Sequence, residues 1–317
     1  GAARALLAAG RQLADAEDLR ARLELTPAGS GGHQLGFSLT GARLPLPAPA
    51  AGEARTVSVT GTFALGPELE ASELRLSAAT LELAGIARLQ DLHVSLPTIR
   101  PNGPAGWWPA TAEVSAAAVE TADGAFTAVT ARLRRGPDST VTTEAGLRLL
   151  ESPLQLSAEI DWGRRSGRVA FAGELSTGLL GVISRRLATD VTRFYSYEAL
   201  TVETGAAAFG PDWTFARLDA RVRIPRMDSY GVTMEDGRAV VVLEPGRFHS
   251  PEAFARIGEN YARGTYDHDL RTHAFRFLLD GRLRPLAIGR WFGPWWPEFF
   301  GQLEFPDQPP TAGVDVQ

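Results

Sequence analysis

The chain has 317 residues, 44% hydrophobic and 22% charged, a foldable composition with room for one large or two ordinary domains. Its formal net charge of -5 argues against nucleic acid as the main partner, and the absence of Cys removes disulfides, thiolate metal sites and thiol nucleophiles together. No stretch approaches the roughly 18 apolar residues of a membrane span, and no secretory signal is visible. Because the chain starts at Gly1, it reads as a segment of a longer protein, so an anchor elsewhere stays open. All 32 basic residues are Arg, which fits either a GC-rich codon bias or selection for planar forks that bind phosphate.

A helix is expected over 3–19, where Ala3, Leu6, Leu13 and Leu19 fall roughly on one face and Gly10 weakens it. Residues 21–26 start a strand series, and the Pro-rich stretch 44–54 reads as a loop. Strand-like runs lie at 34–43, 55–65, 69–84, 86–96, 110–119, 125–134, 139–149, 153–162 and 167–177. Turn signals separate them, such as Gly66-Pro67, Asp123-Gly124 and Gly136-Pro137-Asp138. Such short links imply antiparallel neighbours in a meander.

The period changes at 178. Leu179, Ile183, Leu187, Val191 and Phe194 fall at helical spacing, and Arg185, Arg186 and Arg193 face away, so a helix is expected over 179–195. Strands resume at 198–208, 213–224, 229–235 and 238–244, with Asp236-Gly237 as a hairpin turn. Another hairpin joins 260–266 to 272–283 across Asp267-His268-Asp269. A last helical element is expected over 285–300, started by Pro285 and broken by Gly293-Pro294 and Pro297. The organisation expected is an N-terminal helix over 1–20, a first β-segment over 21–177, a helical spacer over 178–197, a second β-segment over 198–284 and an aromatic element over 285–317.

Apolar and polar residues alternate along most of these strands, so each has one apolar and one wet face. Val57, Val59, Phe63 and Leu65 mark the apolar face of one run, Leu74 and Leu76 of the next, and Leu92, Val94 and Leu96 of a third. Further on the set continues with Leu154, Leu156, Ile160 and Trp162, then Val169, Phe171 and Leu175, then Phe275, Phe277 and Leu279. Two architectures satisfy this pattern. In a sandwich or barrel the faces cover each other. In an open, curved sheet they stay available to an apolar guest.

Standard catalytic and nucleotide motifs are missing. Asp267, His268, Asp269 and His273 make the best metal-like cluster, but they fall on an expected hairpin tip, where Asp is favoured for backbone hydrogen bonding. His33, His93 and His249 are isolated. Neither an enzyme activity nor a cofactor or metal is expected.

The run YARGTYDHDLRTHAFRFLLDGRLRPLAIGRWFGPWWPEFF, 261–300, carries a more specific signal. It resembles a strand-hairpin-then-aromatic pattern of AsmA-like proteins of Gram-negative bacteria. The matching positions are Gly264, Tyr266, Thr272, Phe275, Phe277, Leu279, Gly281, Leu283, Pro285, Trp291 and Trp295. The rest of the chain agrees only in style. The resemblance implies a repeating β-groove of the bridge-type lipid-transfer group: mainly β, a long antiparallel, twisted and curved sheet forming an elongated open groove with a few short helices. It implies a periplasmic location with an inner-membrane anchor outside this chain, and phospholipid carried between inner and outer membranes. The 19 apolar positions named above would line the groove. Trp291, Phe292, Trp295, Trp296, Phe299 and Phe300 would form a cap or a membrane-interface element. The helix at 179–195 would cross the groove or separate two segments of it. Two other readings stay open: a TamB-like assembly factor for outer-membrane proteins, using the same surface for protein cargo, and a structural β-repeat protein.

Overall fold

The computed structural model describes residues 16–28, 32–46, 52–65, 70–99, 110–121, 124–136, 140–178, 180, 181, 184, 190–193, 195–229, 231–272, 274–291, 293–303 and 311–316. The fold is mainly β, built from antiparallel strands with a few short helices. The chain divides into two compact units, Gly1–Leu149 and Leu150–Gln317.

The first unit contains β1 (Arg20–Pro27), β2 (His33–Leu46), β3 (Gly52–Leu65), β4 (Glu70–Leu83), β5 (Ala87–Ile99), β6 (Thr111–Thr121), β7 (Gly124–Arg135) and β8 (Thr140–Leu149). Each strand pairs antiparallel with the next. Among the described residues no pairing joins β1 to β8, so the sheet is open. The helix expected over 3–19 lies mostly outside the described residues. At its end, Glu17 forms an isolated bridge to Arg43 instead of a helical turn.

A crease runs across this sheet. The registers place Ala42, Thr56, Ala79, Asp91, Ala117 and Ala128 opposite one another on six successive strands. On alternate strands the crease residue is left-handed: Thr56 at φ 52°, Asp91 at φ 49° and Ala128 at φ 50°. A left-handed residue breaks the pleat, so its apolar neighbours on both sides point to one face. Ala54 and Val57 accordingly share a cluster with Ala78, although strict alternation would put them on opposite faces. The buried residues beside the crease are Ala54 (5% exposed), Val57 (5%), Ala78 (3%), Leu92 (5%) and Ala116 (4%), while all six crease residues are exposed. The sheet therefore bends toward its apolar face, and mostly small side chains fill the inside of the bend.

The second unit contains β9 (Ser152–Asp161), β10 (Ser166–Leu175), β11 (Tyr195–Tyr197), β12 (Leu200–Phe209), β13 (Phe215–Ser229), β14 (Val232–Glu244), β15 (Arg247–Ile257), β16 (Asn260–Asp269), β17 (Phe275–Arg282) and β18 (Thr311–Val316). Neighbours in sequence pair, with one exception. β10 pairs with β12, and the short β11 pairs with the end of β13. The connection between β10 and β12 therefore returns the chain to the next ladder position. It does not divide one sheet from another, as the expected spacer over 178–197 would.

That connection also differs from a single helix over 179–195. Gly178, Leu180, Gly181 and Ser184 are helical, but Leu179, Ile183 and Leu187 lie outside the described residues. Asp190 is not helical and accepts the Thr192 backbone N–H at 3.2 Å, starting a 3-10 turn, Val191–Arg193. Tyr197 then ties the connection down: its buried hydroxyl donates to the Ser176 carbonyl at 2.5 Å.

Three further expectations are corrected. Asp236-Gly237 is not a hairpin turn. β14 runs through it, with Asp236 left-handed at φ 50° as a bulge, and the turn from β13 falls at Gly231 (φ 76°). The turn after β16 falls at 270–274 rather than 267–269, because Asp267 and His268 still pair with Arg276 and Phe275. β15 was not legible as a strand because Pro251 interrupts it. The register shift between Ser250 and Ala253 is a bulge that accommodates a residue with no N–H to donate.

Two tests follow. At an ordinary exposed strand position Asp91→Val would be neutral or favourable. Here it should destabilise the chain by about 1–2 kcal/mol, because a β-branched residue resists the left-handed conformation, while Asp91→Gly should not. Urea midpoints distinguish the two. Burial pushes the Tyr197 phenol up to about 12 from its ordinary 10.0. The unfolded chain thus releases that proton first, so stability is whole below pH 10 and falls as pH rises toward 12. Tyr197→Phe should remove this contribution to the alkaline decline in melting temperature and cost about 1 kcal/mol at neutral pH.

Candidate functional site

Antiparallel partners share a sheet face, so the registers assign every strand residue a side. In the first unit, Ala21, Leu39, Val59, Leu76, Val94, Val114, Ala131 and Ala145 form one row across all eight strands. Val57 and Leu92 lie in the adjoining row, opposite Ala78. Leu74 faces Leu96, and Phe63 faces Leu35. Phe37 stacks on Phe63 with ring centroids 4.9 Å apart. Gly61 leaves room for this cluster, since a Cβ there would come within 2.9 Å of the Phe37 ring. Leu65 continues the same face at the exposed end of β3.

In the second unit the corresponding row is Leu154, Gly173, Val202, Val222, Ala239, Ala253, Gly264 and Leu279. It brings residues far apart in sequence onto one face. Leu156 faces Phe171, whose ring lies over Gly205. Ile160 and Val169 flank Ala158, and Leu175 faces Leu200. Phe277 faces Tyr266, and Phe275 faces His268 at the strand's start. Trp162 is placed differently. It lies just past β9, 57% exposed, edge-on to Trp213 at 5.5 Å. With about 4.8 Å between strands, each eight-strand row extends about 34 Å.

Among the described residues no second layer seals these faces. Val57, Leu92 and Leu154 are buried, Leu65 and Phe275 are over 40% exposed, and the other expected lining positions apart from Trp162 are half-buried. Among the described residues no large side chain falls below 2% exposure, whereas facing sheets of a sandwich bury their inner rows fully.

The opposite faces are charged. Arg43 and Arg55 both bind Glu53 and hold its carboxyl below the usual carboxylate range. Arg217 does the same to Asp219, and Arg247 to Asp267. Arg263 pairs with Asp280 and Arg276 with Asp315 across the ladders. These pairs are exposed and screened by solvent, so they add little stability, and their role is to keep that face wet. The suspected metal cluster is split between faces. Asp267 is on the charged side with Arg247, and His268 is on the apolar side beside Tyr266. Asp269 accepts the N–H groups of Arg271 and Thr272 in the turn, and His273 lies outside the described residues. Among the described residues no group of three or more acidic or His side chains could hold a metal.

The aromatic element comprises α1 (Pro285–Ile288), a 3-10 turn over Gly289–Trp291 and α2 (Trp296–Phe300). Its inner side packs on the sheet: Ile288 and Leu283 cluster with Val232, Ile257 and Ala262, and Met234, Leu279 and Trp291 lean against them. The Trp291 indole N–H donates to the Ser229 carbonyl at 3.1 Å. On the outer side Trp295 stacks on Trp296 at 4.3 Å and stays 56% exposed, with Phe299 beside it and Phe300 on α2 against Gly289. Phe292 lies outside the described residues. Sequence reading missed the small residues that share the apolar rows, above all Ala239, Ala253 and Gly264, because Ala and Gly carry little hydrophobic signal in an alternating pattern.

Compared with protein-family models, with curated proteins and with solved structures, the chain finds no match.

Proposed function

We propose that this chain is a non-enzymatic lipid-binding and lipid-transfer segment of AsmA type. Its apolar sheet faces shield phospholipid acyl chains on the way between the inner and outer membranes of a Gram-negative cell. The observation that carries this reading is the pair of continuous apolar rows with no second layer over them among the described residues. Bringing a sixteen-carbon chain into water costs roughly 12 kcal/mol at about 0.8 kcal/mol per methylene, and an uncovered apolar row removes most of that cost. Each row, at about 34 Å, is also longer than the roughly 15 Å that one leaflet's chains span. The resemblance over 261–300 adds the periplasmic setting and the phospholipid cargo. The mechanism is passive: acyl chains lie along the rows while headgroups remain at the rim in water.

Val94→Asp with Leu156→Asp places one carboxylate on each apolar face, on β5 in the first unit and on β9 in the second. Both positions are half-buried, so the fold should persist by circular dichroism. Native mass spectrometry of purified wild type should show bound phospholipid, and the double variant should show little or none. Full lipid occupancy in the double variant would contradict the proposal, as would a lipid-stripped wild type that takes none up.

A further inference from the structure

The apolar face of the second unit is not uniform. Where Ala239, Ala253 and Gly264 follow one another on β14, β15 and β16, the row drops to the level of the backbone. Taller side chains stand around this depression, with Met227 and Met234 on one side, Tyr266 and Phe277 on the other, and Trp291 beside them. The result is a cavity of about 220 Å³ with almost wholly apolar walls. That exceeds the about 150 Å³ that admits benzene but falls short of the roughly 300–1,000 Å³ of a drug-sized site. It holds a length of hydrocarbon and not a whole lipid.

Four polar side chains around the cavity are engaged. The Trp291 N–H is given to Ser229, and the Tyr266 hydroxyl contacts His268 Nδ1 at 3.2 Å. Arg238 and Arg263 at the edge are held by Asp236 and Asp280. A charged headgroup inside the cavity would shed its water against apolar walls, whereas at the edge it would stay in solvent. Trp291 itself is fixed at its N–H and is backed by Leu283 and Ile288.

We propose that this cavity is a seat for the methyl end of one acyl chain, with Trp291 as its stop. It rests on the lipid-binding reading above and adds a direction: the hydrocarbon end is bound at the aromatic element, and the headgroup points away from it.

The test uses stearic acid carrying a nitroxide either near its methyl end or near its carboxyl end, added to the purified full chain. The share of tryptophan emission lost in Trp291→Phe belongs to Trp291. The methyl-end label should quench that share several-fold more than the carboxyl-end label. Ala253→Phe, or the milder Ala255→Leu at a neighbouring residue that also lines the cavity, fills the floor and should abolish the difference, while native mass spectrometry still shows lipid elsewhere on the chain. Equal quenching by the two labels, stronger quenching by the carboxyl-end label, or an unchanged difference in both folded floor variants would overturn the seat and leave the lipid-binding reading standing. A chain that binds neither fatty acid overturns both.

Discussion

A single β-layer with one apolar face cannot satisfy that face by itself, and the rest of the structure can be understood as a response to this constraint. Strand pairing satisfies the backbone but leaves the apolar side chains half in water. The first unit answers by bending. Its left-handed residues at Thr56, Asp91 and Ala128 fall on one line across the sheet, and each costs about 1–2 kcal/mol as an L-residue in that conformation. Beside them, Ala54, Val57, Ala78, Leu92 and Ala116 are nearly fully buried. Most residues inside the bend are small because the two slopes approach each other there. Large residues such as Phe63, Leu76 and Val94 sit further up the slopes and remain half-buried.

The second unit answers differently at one end. There the aromatic element supplies a partial cover, and Leu283, Ile288 and Trp291 bury the region of the face near Val232 and Ile257. Among the described residues the cover stops short of the Ala239, Ala253 and Gly264 row. Glycines matter at close approaches: a Cβ at Gly205 would come within 2.4 Å of the Phe171 ring, so its absence lets that ring lie flat on the sheet. The charged faces carry a complementary burden. Cross-strand Arg–carboxylate pairs keep them wet, which fixes the choice of apolar face without adding much stability.

Most strands were legible because their alternation runs for ten residues or more. What misled was local chemistry with two uses. Asp236-Gly237 suits a hairpin turn and equally a bulge within a strand, and only the neighbouring register decides between them. Pro251 reads as a strand breaker unless a bulge removes the need for its N–H. The crease had a sequence mark that simple alternation overlooks, an apolar-polar-polar-apolar skip at Ala54-Arg55-Thr56-Val57 and again at Leu89-Gln90-Asp91-Leu92. The apolar lining was legible one strand at a time. That Leu154 and Leu279 share one face was not, because it depends on seven successive pairings.

The chain contains no Cys, so single thiols can report on each face without a background. The most direct measurement compares the rates at which an uncharged maleimide modifies Leu76→Cys and Val94→Cys with those for Ser77→Cys and Ser95→Cys on the wet side, in lipid-stripped protein. Comparable rates on both sides, with only the Leu76→Cys and Val94→Cys rates falling once phospholipid is added, are what an uncovered face predicts. Strong protection at those two sites before any lipid is present would mean that protein already fills the space, and would contradict the account.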